Sequence, residues 1–320
     1  MKAAIRTEYG SPEVLSIQEL PVPSAGEGDL LVRIHAATVN RTDCGILTGK
    51  PSVIRFFSGL LYPRLSSTGT DFAGTIEAVG NKVTDFKAGD RVWGFNDNGL
   101  GSHAQYITIA ADGPVTTIPA DITFEQAAAS AEGAHYALNF INKIKLKAGD
   151  TVLVNGATGA IGSAAVQLLK HSGMKVTAVC DTKNIDLVRS LGADRIIDYT
   201  KEDFTQDNQL YSYVFDAVGK STFAKCKRLL LPGGAYLSTE LGPDGENIYL
   251  PLTTILSNKK VIFPFPSNIK KSLQVIRTLL ETKQFTPVID RIYPLDDIRE
   301  AFKYVLTGKK TGNVLISMGD

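Results

Sequence analysis

The sequence predicts an α/β chain: a compact, barrel-like β region followed by a parallel sheet covered on both faces by helices. Three observations carry this. Residues 1 to about 122 break into short β-rich runs between closely spaced Gly and Pro, as in small all-β domains. From Thr123 onward, strand-like runs alternate with helical periodicities, the pattern of a parallel sheet. At the first of these alternations a glycine-rich turn joins a strand to a helix.

In the first region strands are expected at 30–39 (LLVRIHAATV), 72–79, 90–94 and 103–109, with Pro12, Pro21, Pro23, Gly69, Gly80 and Gly89 marking turns. Residues 125–142 are alanine-rich and helical. Beyond them come a strand at 151–154, a helix, a strand at 176–179, a helix at 185–191 and strands at 195–198 and 212–216. A helix at 221–230, strands at 235–238 and 261–265 and a helix at 269–282 follow. The tail reads strand 288–293, helix 295–306, strand 313–317, in the style of the first region. The expected division is therefore 1–122 with 284–320 as one domain, and 123–283 as an inserted nucleotide-binding domain, with a ligand cleft between them.

The glycine turn lies in TVLVNGATGAIGSAAVQLLKHSGMKVTAVCD. Ile161, Ala165, Leu168 and Leu169 recur at the spacing of one buried helix face, and Gly173 stops the helix. Gly159 lets backbone approach a pyrophosphate, and Gly162 lets helix pack on strand with no side chain between them. The helix N-terminus adds unpaired N–H groups and a partial positive charge. Ala157 stands where a strict G-x-G-x-x-G has its first glycine, and Gly156 sits one place earlier. An acid, Asp181, follows Gly162 by about twenty residues, at the end of the second strand. The unit is that of a dinucleotide-binding, doubly wound sheet.

With 43% hydrophobic and 21% charged residues, the 320-residue chain suits a soluble globular protein of two domains. A net charge of +1 offers no electrostatic footprint for nucleic acid or an anionic membrane. No apolar stretch approaches the roughly 18 residues of a membrane span. Lys2, Arg6, Glu8 and Glu13 interrupt the N-terminus, so no secretory signal is read. Cys44, Cys180 and Cys226 lie far apart, which favours a reduced, cytoplasmic setting over a disulfide framework.

The stretches KAAIRTEYGSPEVLSIQELPVPSAGEGDLLVRIHAATVN, GTDFAGTIEAVG, GDRVWGF, NGATGAIG, LGADRIIDY and KKTGNVLI occur in an order that resembles the medium-chain dehydrogenase/reductase superfamily over essentially the whole chain. The nearest likeness is to its zinc-free quinone oxidoreductase branch. The resemblance implies a GroES-like β-barrel-type catalytic domain, a Rossmann domain and a homodimer, with 261–265 where the family often pairs strands between subunits. It also implies a cofactor set of Gly156, Ala157, Thr158, Gly159, Ala160, Ile161, Gly162, Asp181, Lys183, Tyr199 and Val218.

Against the zinc-dependent alcohol dehydrogenases of that superfamily, Asn40 replaces the first ligand cysteine, and Gly69-Thr70-Asp71 replaces a glycine-histidine-glutamate run. No cysteine lies between Cys44 and Cys180, and only a short turn separates Phe95 from His103, leaving no room for a structural-zinc lobe. Catalytic zinc needs three protein ligands, so a metal-free site is expected.

Asn40, Asp43 and Tyr136 are the candidate catalytic residues. Asn40 either offers an amide to substrate or forms the turn before a short helix; Asp43 orients neighbours or caps that helix. Tyr136 bonds the cofactor, donates a proton or simply packs. Glu132 and His135 depart from the family's usual small residues, and either line the cleft or sit satisfied elsewhere. Asp181 favours the ribose of NAD(H), while Lys183 suits the phosphate of NADP(H), so the preference stays open. The segment 51–67 is apolar and aromatic with Arg55 and Arg64, a wall for a planar hydrophobic acceptor or plain core. Without a Lewis acid, hydride addition to a quinone or an α,β-unsaturated carbonyl is the favoured chemistry, because conjugation carries the charge to an oxygen. The alternatives are a dinucleotide-binding sensor or structural protein with little turnover, and a metal enzyme with unusual ligands.

Overall fold

A computed structural model describes residues 1–52, 54–265 and 267–319. The chain forms two compact units, one of residues 1–132 with 268–320 and the other of 133–267. These boundaries differ from the expected 122/123 and 283/284. The helix Phe124–Ala129 lies against strands of the first unit, and Ile269–Glu281 is tied there by Lys270 Nζ to Asp112 O (3.0 Å) and Arg277 Nε to Thr117 O (3.1 Å).

In the first unit the strand Asp29–Val39 is the axis of a seven-stranded sheet. Its first half pairs antiparallel with Asp71–Val79 and with Tyr106–Ala110; its last four residues pair antiparallel with Asn313–Ser317. The C-terminal strand thus completes the N-terminal sheet. Branched and aromatic side chains fill the interior: Leu30, Val32, Ile34, Phe72, Ile76, Phe302, Val305 and Ile316 are all buried. Apart from this sheet, Lys2–Ile5 and Ser16–Glu19 form a hairpin-like pair that had no counterpart among the expected strands.

The second unit holds a six-stranded, all-parallel sheet. Edge to edge its order is Arg195–Asp198, Lys175–Cys180, Thr151–Asn155, Tyr211–Asp216, Leu230–Ser238, Lys260–Ile262. This is the 3-2-1-4-5-6 order of the dinucleotide-binding fold, with the topological switch beside Thr151–Asn155. Strands buried on both faces read as continuous apolar runs, which is why Val152, Leu153, Val154, Val176, Ala178 and Val179 are all inside.

Further elements differ from expectation; the strand expected at 261–265 is Lys260–Ile262 and ends before Phe263. The 125–142 helix is two helices, Phe124–Ala129 and Glu132–Asn142, with Ser130 ending the first. The 221–230 helix is one α-turn, Phe223–Cys226, followed by a 3₁₀ turn, because the strand Leu230–Ser238 begins at once. A helix at Glu246–Thr253 was not anticipated, its pattern being interrupted by Pro251.

Phe302 is fully buried in the first core and meets the His103 ring edge-on at 5.7 Å between centroids. Phe302→Ala is expected to lower unfolding stability by about 3–5 kcal/mol in urea titration, whereas Phe56→Ala, at a side chain 69% exposed, stays within about 0.5 kcal/mol.

Candidate active site

In the second unit the predicted cofactor residues gather at the carboxyl ends of the parallel strands. Gly156 turns out of Thr151–Asn155 at φ +78°, a conformation that suits glycine. A Cβ on Gly162 would stand 2.0 Å from the Gly156 carbonyl oxygen; helix and turn touch there only because Gly162 has no side chain. Around Gly159 the nearest atom to such a Cβ is 3.7 Å away, leaving that face of the turn open. Gly159 is also the N-cap of the helix Ala160–His171, and no side chain caps it. The first N–H groups of that helix have no intrahelical partner, so the turn of Ala157, Thr158, Gly159, Ala160 and Ile161 is a cradle that fits a pyrophosphate.

Asp181 follows the next strand. Its Oδ1 accepts from Asn184 Nδ2 (2.5 Å), and Lys183 Nζ lies 3.7 Å from its Oδ2. The two sequence features that pointed in opposite directions thus sit together as one ion pair. Tyr199, 58% exposed, follows the strand beyond, its N–H donating to Cys180 O. Asp198 beside it accepts from the Thr182 and Thr200 hydroxyls and is held down at about 2 by those bonds.

Val218 sits on the loop after Tyr211–Asp216, and its Cβ would be 2.8 Å from a Cβ on Gly156. The residue that fixes this loop was missed in the sequence. Asp216 is fully buried; its Oδ1 accepts from Asn155 Nδ2 (3.0 Å) and Gly219 N (3.0 Å), and its Oδ2 from Ser221 N (2.9 Å) and the Tyr236 hydroxyl (3.0 Å). A carboxylate at a strand end followed by Ala-Val-Gly was the available signal. Tyr136 lies half-buried on Glu132–Asn142, edge-on to the His135 ring, while Asn139 Oδ1 accepts from Ser267 N (3.1 Å).

In the first unit, Asn40 and Asp43 form a capping box. Asn40 Oδ1 accepts from Asp43 N (2.8 Å) and Asp43 Oδ2 from Asn40 N (3.0 Å), opening the helix Arg41–Thr48. The Asn40 amide also donates to Thr70 Oγ1 (2.7 Å) and Thr38 Oγ1 (3.3 Å). Between its two readings, then, the geometry engages Asn40 in the turn.

Asp71 accepts from Thr38 N (2.6 Å) and the Thr38 hydroxyl (2.5 Å); burial raises its carboxyl to about 6, and these bonds oppose the rise. Burial, then the neighbouring Asp71 and Glu132 carboxyls, push Asp43 well above the carboxylate range. His103 donates through Nε2 to Thr38 O (2.8 Å), so its Nδ1 accepts from the Thr68 hydroxyl (2.7 Å); burial brings it down to about 4, and it is neutral. Glu132 turns into this same corner. The Thr42 hydroxyl donates to its Oε1 (2.5 Å), and burial lifts it to about 8.

The donors of this corner do not fit zinc. The Asn40 amide, both Asp71 oxygens and both His103 nitrogens are spent on internal hydrogen bonds. Among the described residues no group of three or more His, Cys, Asp or Glu is arranged to hold a metal.

Two units of this kind, a bent β sheet with a capped corner helix and a parallel sheet with a phosphate cradle, define a nicotinamide-dependent dehydrogenase or reductase of the medium-chain type. Comparison with known proteins agrees. Residues 26–120 match the alcohol dehydrogenase GroES-like domain, and 191–316 match a family described as zinc-binding dehydrogenase. The chain is 32% identical to a 2-methylene-furan-3-one reductase of Solanum lycopersicum, over 99% of this chain and 79% of that protein. It is 31% identical to an NADPH-dependent alkenal/one oxidoreductase, chloroplastic, of Arabidopsis thaliana, with the same coverage. Among solved structures, a quinone oxidoreductase from Coxiella burnetii superposes with a TM-score of 0.89 at 25% identity, over 100% of this chain and 99% of that one. The chain belongs to the medium-chain dehydrogenase/reductase superfamily, in its quinone oxidoreductase-like branch. It is an oxidoreductase that uses a nicotinamide cofactor.

Asp216→Ala leaves the Asn155 amide and the Tyr236 hydroxyl without their buried acceptor. It is expected to weaken NADPH binding at least about tenfold in a fluorescence titration and to lower stability by about 2–4 kcal/mol.

Proposed function

We propose that the chain is a zinc-independent reductase of quinones or α,β-unsaturated carbonyls. The observation that carries this reading is the corner around Asn40. A closed hydrogen-bond network of Asn40, Thr70, Asp71 and Thr38 stands where zinc-dependent relatives of the superfamily place ligands. With no Lewis acid to acidify an alcohol, the suitable acceptor is one that spreads its own charge by conjugation. The names of two relatives, a furanone reductase and an alkenal/one oxidoreductase, support that substrate class. Bound in the glycine cradle, the reduced nicotinamide supplies hydride to a carbon of the conjugated acceptor.

In this reading Gly156, Gly159 and Gly162 seat the pyrophosphate on the Ala160–His171 helix, Val218 borders the turn, and Tyr199 lies beside the adenosine. Asn40 and Asp43 position the Arg41–Thr48 helix. The segment 51–67 walls the acceptor: Phe56, Leu60, Leu61 and Tyr62 all present apolar surface, while Val53 lies outside the described residues. Three buried, unpaired thiols support a reducing compartment, for which we propose the cytoplasm. No described helix is long and apolar enough to cross a membrane.

The Asp181–Lys183 pair supports use of both cofactors, since the lysine partly offsets the carboxylate that repels a 2′-phosphate. Steady-state turnover of 1,4-benzoquinone and but-3-en-2-one with NADH and NADPH side by side tests the reading. The expected result is activity with both cofactors, and a shift of at least about tenfold toward NADPH in Asp181→Ser. No turnover of any quinone or enone with either cofactor defeats it.

We also propose a homodimer built on the second unit. Lys260–Ile262 is an outermost strand of its sheet, and beside it Leu252, Ile255 and Leu256 are 76%, 64% and 97% exposed. An apolar patch next to an open strand edge is a surface for a second copy. Light scattering after size exclusion is expected to give twice the chain mass, and Leu256→Asp to give the monomer.

A further inference from the structure

One stretch of the first unit departs from an ordinary soluble surface in two ways at once. Phe56, Leu60, Leu61, Tyr62 and Leu65 are all exposed, a dense run of large apolar side chains in water. Residues 44–70 also hold Lys50, Arg55 and Arg64 and no Asp or Glu. The carboxyls on either side, Asp43 and Asp71, are wholly buried. The net charge of +1 for the whole chain hides this local imbalance.

The apolar tip is held in place from below. The short helix Ile54–Ser58 ends at Gly59, and Arg64 N donates back to Ser58 O (2.7 Å), so 58–64 is a loop whose ends meet. Gly59, at φ +122°, makes the turn tight; a Cβ there would lie 2.0 Å from Tyr62 O. Tyr9 clamps the base. Its hydroxyl donates to Gly59 O (2.6 Å) and stands 2.9 Å from Ser58 Oγ, and the Arg55 guanidinium covers its ring at 4.7 Å. Above this base Leu60, Leu61 and Tyr62 are 63%, 76% and 72% exposed. A loop already ordered loses little conformational entropy when its tip is covered.

We propose that this loop docks the protein on the surface of an anionic lipid bilayer. Leu60 and Leu61 supply apolar area for the acyl boundary, and Tyr62 suits the headgroup level. Lys50, Arg55 and Arg64 answer the headgroup anions, their long stems lying along apolar surface. Against these three cations the clamping segment brings one exposed acid, Glu8. Two features favour lipid over a second copy of the chain. A two-fold contact sets one patch against itself, and here that brings cations against cations. The loop also has no open strand edge to extend, unlike the patch beside Lys260–Ile262. The docking surface belongs to the first unit alone and does not depend on the reductase reading.

Flotation of the full chain with lipid vesicles tests this. Wild type is expected to bind phosphatidylcholine vesicles containing about 30% phosphatidylserine at least about tenfold more tightly than vesicles of phosphatidylcholine alone. That binding weakens at least about tenfold as salt rises from about 0.1 M to about 0.5 M. Leu61→Asp lowers it at least about tenfold, and Lys50→Glu about threefold. Leu210→Asp, at an exposed leucine of the second unit, binds as wild type does. Because Leu61 is exposed, the circular dichroism and thermal midpoint of Leu61→Asp are expected to match wild type. The chain's single tryptophan, Trp93, is fully buried, so Leu61→Trp reports the tip directly. Its emission is expected to shift to the blue on anionic vesicles and to be quenched by lipids brominated in the acyl chain. Wild type left unbound by anionic vesicles, or Leu61→Asp bound as tightly as wild type, overturns the proposal. So does a Leu61→Trp emission that the vesicles leave unchanged. If wild type ignores vesicles but self-associates with rising concentration in light scattering, and Leu61→Asp does not, the loop is a protein contact and the proposal is likewise overturned.

Discussion

A carboxyl removed from water must be given donors or keep its proton, and this one constraint shapes both units. Around Asp216 two backbone N–H groups, an amide and a phenol close at 2.9–3.0 Å. The loop that carries Val218 is consequently fixed to the end of the central strand. Asp71 takes an intermediate course, with the Thr38 N–H, the Thr38 hydroxyl and the more distant Asn40 amide, and settles near 6. Glu132, bonded by one hydroxyl, takes the second course. Between Asp71 and Glu132, donor number separates the two more directly than depth of burial does, because both are almost fully enclosed.

The same constraint accounts for the character of the Asn40 corner. The Asn40 amide supplies N–H groups to neighbouring oxygens. Asn40 gives them to Thr70 and Thr38, which completes a polar network among strands that are otherwise packed with Val, Ile and Phe. The corner lies within the stretch 26–120 that matches the alcohol dehydrogenase GroES-like domain, and these hydrogen bonds tie it together.

Much of the fold was legible in the sequence, because strand–helix alternation and the glycine turn are local signals. The strand, turn, helix and strand of 151–180 fall where they were expected, with Gly156 at positive φ. The helix breaks at Ser130 and after Cys226 did not, since alanine-rich and mixed runs carry no strong stop. Local backbone signals were legible in the sequence, and encounters between residues far apart in the chain were not. Nothing local in Glu132 announces Thr42, which is ninety residues earlier. Likewise Asp216 looks like any strand-end acid until Asn155, Ser221 and Tyr236 converge on it. Asp181 and Lys183 were read as rivals, and their proximity as a pair is a fact of geometry rather than of composition.

The closure of the first sheet by Asn313–Ser317 has a consequence for biosynthesis. Residues 133–267 form a continuous unit that can collapse as soon as it leaves the ribosome. The strand Asp29–Val39 emerges long before, yet its final four residues lack their partner until residues 314–317 have been made. The order of completion is therefore reversed relative to the order of translation: the inserted unit is finished first, and the other unit waits, with one sheet edge open, for residues 314–317 to arrive.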